Sequence, residues 1–294
     1  MQLRPYGTTD MKVSILGFGG AEIRNSDQAT ADRLLHSALD AGLNIIDTAE
    51  CYGNSEELIG QALSGRRSDY YLFTKCGHTA GLEGADWDPV MLRESIDRSL
   101  KRLNTDYVDV IHLHSCTEEI LRRGEVIQVL QEAKQAGKTR YIGYSGDHND
   151  SRYAVGTGVF DSLETSINIA DQESVAIIAE AARKGMGVTA KRPIANAAWA
   201  FDSFNEDDYP YVYWRRLQEL KYDFLGDVQE GVSVALRFAL TVPGVSTAIV
   251  GTRNPDRWVQ NAKLLEQGML PEEQYRSITA RWAETAGPDW VGQR

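Results

Sequence analysis

The stretch Leu92-Arg-Glu-Ser-Ile96-Asp-Arg-Ser-Leu100-Lys-Arg-Leu103, followed by Tyr107-Val-Asp-Val-Ile-His-Leu-His114, decides the fold. In its first half, apolar residues recur at spacings of three and four, so they share one face of a helix. Its second half is a β-rich run and reads as a strand. The helix–strand unit repeats outward in both directions. Strand-like runs begin near Ser14 (SILGFG), Leu43 (LNIIDT), Tyr70 (YYLFTK), Thr139 (TRYIGYS), Phe160 (FDSLETS), Gly187 (GVTAK) and Ser246 (STAIVG), with amphipathic segments between them. Asp27 reads as the N-cap of a helix over Gln28–Ala41, and Gly42 and Gly137 as left-handed residues that close helices. Eight strand–helix units predict an α/β protein, a (β/α)8 TIM barrel of parallel strands. Leu3–Tyr6, the turn Gly7-Thr8-Thr9-Asp10 and Met11–Val13 read as a small β-hairpin capping the barrel's bottom.

No linker or low-complexity segment divides the 294 residues, so 1–294 reads as one barrel domain. Hydrophobic residues make up 42%, enough for a sizeable core. With 31 Lys and Arg against 42 Asp and Glu, the net charge is −11, which argues against nucleic-acid binding. An anionic ligand would need a local basic cluster. The amino end lacks the apolar stretch of a signal peptide, and no apolar run approaches the ~20 residues of a membrane span. Three cysteines (Cys51, Cys76, Cys116) show neither C-x-x-C nor zinc spacing. These features predict a reduced, cytoplasmic protein with no membrane or nucleic-acid partner; they leave the oligomeric state open.

One region breaks the rhythm. Asn196 to Phe224 holds nine aromatics (Trp199, Phe201, Phe204, Tyr209, Tyr211, Tyr213, Trp214, Tyr222, Phe224) of the chain's 26. It follows the seventh strand, where connections are ordinarily ~2–6 residues long. Either it forms a wall of a substrate pocket, or it packs outside the barrel as a satellite cluster.

In such a barrel, chemistry sits at the C-terminal ends of the strands. Those ends carry Asp47 after LNII, Lys75 after YLFT and His114 after VIHL, with Tyr52 in the loop after Asp47. Singly, a strand-end Asp is often a helix cap and a Lys a solvated rim charge; together the four can converge on one rim.

Asp47-Thr48-Ala49-Glu50-Cys51-Tyr52-Gly53, followed by Ser55-Glu56, resembles the signature of the aldo-keto reductases. Lys75 and His114 also fall where that family places its remaining catalytic residues, and the likeness runs from LGFGG to IVGTRNP. The resemblance implies metal-free carbonyl reduction by NADP(H) on a small-molecule aldehyde or ketone. A free tyrosine, with a pKa of ~10, is a weak acid near neutrality. An adjacent Lys75 is expected to lower that pKa, Asp47 to hold Lys75, and His114 to orient the carbonyl. Tyr52, His114 and Trp199 are the expected substrate contacts.

Glu22 occupies the third-glycine position after Gly17-Phe18-Gly19-Gly20, so a dinucleotide fingerprint fails. In the resembling family, the turn Gly19-Gly20-Ala21 lets the backbone approach the nicotinamide. Lys191, Arg192 and Pro193 end the seventh strand. Gly251, Thr252, Arg253, Arg257 and Asn261 resemble the family's site for the adenosine ribose and its 2′-phosphate. A bidentate Arg253 contact would favour NADPH, with NAD(H) possible. Three positions depart from the family: Gly146 follows Ser145 where Asn is usual, Glu164 replaces Gln, and Lys191 stands where an aromatic often stacks. Two rival readings follow. One is an NADPH-binding regulatory subunit with little turnover. The other is a metal-dependent hydrolase built on His112 and His114, although only His148 lies beyond them to add a ligand. His112 otherwise reads as an inner-layer residue, and His36 and His78 as helix-surface and loop residues.

Overall fold

The computed structural model describes residues 1–290; the last four of the expected 1–294 span lie outside the described residues. After the strands β1 (Leu3–Pro5) and β2 (Lys12–Ser14), eight parallel strands close a barrel. They are β3 (Leu16–Gly19), β4 (Ile45–Asp47), β5 (Tyr71–Cys76), β6 (Val108–His114), β7 (Thr139–Ser145), β8 (Ser162–Ser166), β9 (Gly187–Lys191) and β10 (Thr247–Val250). They pair in chain order, with β10 closing on β3. Around them run α1 (Gln28–Asp40), α2 (Ser55–Ala62), α3 (Pro89–Arg102), α4 (Glu118–Arg123), α5 (Glu125–Gln135) and α6 (His148–Thr157). The layer continues with α7 (Val175–Arg183), α8 (Tyr211–Leu220), α9 (Val228–Thr241), α10 (Asp256–Leu265) and α11 (Glu272–Thr285). Among the described residues, no helix is long and apolar enough to cross a membrane.

Local chemistry sets the element ends. Asp88 caps α3 by accepting from the N–H groups of Val90 and Met91 at 2.9 and 3.0 Å, and Pro89 starts the first turn. The buried face of α3 carries Leu92 and Ile96, with Leu103 buried just past its end. Asp27 caps α1 through the Thr30 N–H, Ala41 ends it, and Gly42 follows at φ 87°. The SILGFG run is split, in a small correction to the expected strand. Ser14 ends the hairpin instead: its N–H donates to Asn44 Oδ1 and its hydroxyl to Leu16 O, both at 2.6 Å, turning the chain into the barrel.

The hairpin closes the barrel's floor. Tyr6 is fully buried, donating to or accepting from Ser162 Oγ at 2.6 Å and Thr189 Oγ1 at 2.8 Å. With Met11, Val13, Ile45, Phe73, Val110 and Ile249 it forms the inner cluster. Each such side chain contributes roughly 1.5–3 kcal/mol by leaving water. The open end is therefore opposite, at the strands' C-termini.

The segment after β9 forms a 3-10 stretch (Ala195–Ala200), then α8, then a 3-10 turn (Asp223–Gly226). Its latter half docks outside the barrel. Tyr213 donates to Asp171 at 3.2 Å, and the Tyr222 hydroxyl reaches the carbonyls of Ile169 and Ile278 at 3.1 and 3.3 Å. The front half, with Phe201 and Tyr209, is exposed.

Candidate active site

Parallel pairing brings the strand-end residues side by side: Lys75 registers with His112, and Ser145 with both His114 and Glu164. Lys75 and Asp47 are almost completely buried, and Lys75 Nζ donates to both Asp47 oxygens at 2.7 and 2.6 Å and to Thr48 O at 3.0 Å. Glu164 is a second counter-charge, 3.4 Å from Lys75 Nζ, and its Oε1 accepts from the Ser145 hydroxyl at 3.0 Å. Among the described residues, its other oxygen is buried with no hydrogen-bond partner. Two buried carboxylates thus share one ammonium. Burial first, and then Glu164, push Asp47 above the usual carboxylate range. For Glu164, burial is the largest single influence and acts upward, but Lys75, His112 and Lys191 together outweigh it and hold this carboxyl at about 2. Burial opposes the Lys75 charge, yet Asp47 and Glu164 prevail and raise its pKa, so it stays an ammonium.

Tyr52 stands over this pair, with Lys75 Nζ 5.5 Å from its ring centroid. His114 meets it edge-on at 5.7 Å. Here the expected lowering of the phenol pKa needs correction. Lys75 does pull it down, but burial dominates, with Asp47 and Glu164 opposing Lys75, and the net direction is upward. His114 is held neutral, well below its ordinary pKa, by burial and then by Lys75 and Lys191. It can therefore donate one hydrogen bond without carrying charge. Ser115, directly after it, sits at φ 64°.

Two neighbours of His114 are new. His78, expected only as a loop residue, lies ring to ring with it at 5.5 Å and is tied by Nδ1 to Asp86 at 2.8 Å. Cys51 Sγ lies 3.4 Å from His114 Nδ1. The other cysteines, Cys76 and Cys116, are buried.

Asp147 was the residue that strand-end reading missed. It accepts from the Ser166 N–H at 2.7 Å and the Thr165 hydroxyl at 2.9 Å, and it pairs with Lys191 at 3.0 Å and Arg192 at 3.5 Å. Burial disfavours its charge, but Lys191 and Arg192 outweigh burial and hold it at about 2. Its signal was available, since it lies two residues past Ser145 at the end of β7. Arg192 also donates to Ser166 Oγ at 2.6 Å and to the Tyr209 hydroxyl at 2.5 Å. Arg192, Ala195, Asn196 and Ala197 all have positive φ (55°, 45°, 56° and 50°), a strained run beside Pro193 at the barrel mouth.

The departures have structural causes. A Cβ on Gly146 would lie 2.6 Å from the Tyr144 hydroxyl, which itself donates to Cys116 O, so that space is filled by tyrosine. Gly20 is likewise a close approach, with a Cβ there 2.7 Å from Asp47 O. Lys191 pairs with Asp147 rather than offering a stacking face. At the opposite rim, Arg253 donates by Nε to Glu22 O at 3.2 Å. Its terminal nitrogens make no ion pair or hydrogen bond among the described residues. Gly19, Ala21, Gly251 and Thr252 line the same rim, where a Cβ on Gly251 would meet Glu22. Arg257 turns to Gln260, and Asn261 is buried in α10.

Two expectations find little geometric support. Trp199 packs over Gly231 of α9, and among the described residues no ring contact joins it to Tyr52 or His114. His112 is buried, its Nε2 2.8 Å from Ser162 Oγ, and burial lowers its pKa to about 4. Asp47, His112 and Glu164 do offer donor atoms within 4.8 Å of one another, but the cation among them is the Lys75 ammonium. A hydrolytic metal would have to displace it.

The model of the aldo/keto reductase family matches residues 15–283. The fold superposes on the holo form of aldo-keto reductase AKR11C1 from Bacillus halodurans with a TM-score of 0.85, at 28% identity over 99% of both chains. L-galactose dehydrogenase of Arabidopsis thaliana is 35% identical over 66% of each chain. The NADH-specific methylglyoxal reductase of Escherichia coli is 33% identical, covering 58% of this chain and 60% of its own.

Proposed function

The chain belongs to the aldo/keto reductase family, and from that premise we propose that it is an NADP(H)-dependent reductase of aldehyde and ketone carbonyls. The one observation that carries this reading is the buried Asp47–Lys75 ion pair beneath Tyr52, with a neutral His114 edge-on to the phenol. The family acts on small carbonyl compounds with a nicotinamide cofactor, and the residues present fit one. Glu164 Oε2 is a buried carboxylate oxygen without a hydrogen-bond partner among the described residues, suited to a carboxamide N–H. Among the described residues Arg253 is anchored by Nε alone, which leaves its outer edge for a 2′-phosphate. Gly19, Gly20, Ala21, Ser145, Gly146, Lys191, Arg192, Pro193, Gly251, Thr252, Arg257 and Asn261 complete the proposed cofactor cradle.

The cofactor, when bound, supplies the hydride to the carbonyl carbon. His114 donates a hydrogen bond to the carbonyl oxygen and selects its orientation. As negative charge grows on that oxygen, Tyr52 gives up its phenolic proton to it. Lys75 favours the resulting phenolate, and Asp47 and Glu164 keep Lys75 charged and in place. Solvent then returns a proton to Tyr52. Alcohol oxidation runs the same steps backward. We place the protein in the cytoplasm, where its three free thiols stay reduced.

The test is a panel of aldehydes and ketones assayed with NADPH and with NADH. Cofactor oxidation that needs both the carbonyl compound and Tyr52 is expected. Absence of turnover with every carbonyl compound, despite tight cofactor binding, would favour the regulatory-subunit reading instead.

A further inference from the structure

A donor set shares His114 with the proposed catalytic residues, and its other two members, Glu50 and Cys51, have no part in carbonyl reduction. Glu50, Cys51 and His114 each offer a ligating atom, and the three atoms lie within 4.8 Å of one another. Cys51 Sγ and His114 Nδ1 are 3.4 Å apart. Zinc–ligand lengths of about 2.0–2.3 Å put neighbouring donors of a tetrahedron about 3.3–3.6 Å apart, so this pair already has the required spacing. Glu50 is only 1% exposed, and one of its oxygens accepts from the His78 N–H at 3.0 Å. Its other oxygen, Oε2, is buried and has no hydrogen-bond partner among the described residues. A thiol, an imidazole and a carboxylate form a borderline-soft set that suits a d10 dication better than magnesium or calcium. Cys51 opens to solvent, which provides both an entry path and room for water as a fourth ligand.

We propose that Glu50, Cys51 and His114 form an inhibitory binding site for a zinc-type dication at the mouth of the barrel. The bound ion pins the His114 ring by Nδ1 and seats a hydrated double charge beside Tyr52, closing the space a carbonyl substrate needs. The inhibitory consequence rests on the reductase reading; binding of the ion does not.

The experiment is a titration of the full chain with Cd2+, read by the ultraviolet cadmium–thiolate absorption band, with Zn2+ as competitor. One saturable ion per chain is expected. Cys51→Ser should abolish the band and weaken Zn2+ at least tenfold, and the shape-conserving Glu50→Gln should weaken it by a smaller factor. Cys76 and Cys116, being buried, should not contribute. In carbonyl-reduction assays, Zn2+ should inhibit the parent enzyme reversibly on chelation, while Cys51→Ser keeps its activity in the same zinc. Lack of saturable uptake, a band that survives Cys51→Ser, or equal zinc sensitivity in that variant would overturn the proposal. If the parent protein reduces no carbonyl compound at all, the functional reading fails, and the absorbance titration still decides the site.

Discussion

Glu164→Gln isolates the feature that most distinguishes this site, a second carboxylate on Lys75. The substitution removes one negative charge and keeps the shape, so Gln can still accept from the Ser145 hydroxyl as Glu164 does at 3.0 Å. Lys75 Nζ is 5.5 Å from the Tyr52 ring centroid. At an effective dielectric of about 20, a unit charge at that distance favours the phenolate by about 3 kcal/mol, or about two pKa units. Glu164 acts on Tyr52 in the opposite sense and more weakly than Lys75 or Asp47. Removing it should therefore lower the Tyr52 pKa, by less than Lys75 does. Below that pKa, the phenolate fraction rises about tenfold per unit. Alcohol oxidation at about pH 8 should accordingly speed up by a few-fold to about tenfold, and the alkaline limb of carbonyl reduction should move to lower pH. The assay is kcat/KM against pH in both directions, with circular dichroism and a cofactor-fluorescence titration as controls for fold and binding. An oxidation rate within twofold of the parent, or a limb moved upward, would refute the electrostatic role given to Glu164.

Three further outcomes are expected. Tyr52→Phe should lower kcat by ~10²-fold or more with cofactor affinity nearly unchanged, because proton transfer contributes 10²–10⁴-fold; activity within a few-fold of the parent removes Tyr52 from the mechanism. Arg253→Ala should weaken NADPH by ~1.5–3 kcal/mol and barely affect NADH in fluorescence titrations, whereas equal weakening of both would show that no 2′-phosphate is gripped there. Burial raises the Glu50 carboxyl to about 8, so unfolding, which frees it to ionise, becomes easier as pH rises from its unfolded value toward 8. Glu50→Gln should remove that penalty, on the order of 5 kcal/mol at full ionisation. Its melting temperature should gain on the parent's from about pH 5 to about pH 8 and then level off, and a constant difference across that range would contradict the buried, neutral carboxyl.

The barrel was legible in the chain because its signals are local. The i, i+3, i+4 spacing of Leu92, Ile96 and the residues after them, the Asp27 cap, and Gly42 each act within a turn or two, and repetition of the unit leaves few ways to close the sheet. Asp47, Lys75 and His114 were legible for a related reason, since they end consecutive strands and parallel pairing brings such ends together. Tyr52 followed from its distance along the loop and from the family signature around it. What the tertiary structure alone decided is the balance of opposing terms at those residues. Spacing revealed that a lysine could stand near a tyrosine, but not that both would be buried with Asp47 and Glu164, so that desolvation outweighs the ammonium and raises the phenol's pKa. Nor could spacing seat Tyr144 where an Asn side chain would begin at position 146, bind Lys191 and Arg192 to Asp147, or swing Trp199 onto α9. Pairings between groups on different strands and loops depend on distances of a few ångström and on the exclusion of water, and only the closed, packed barrel sets both.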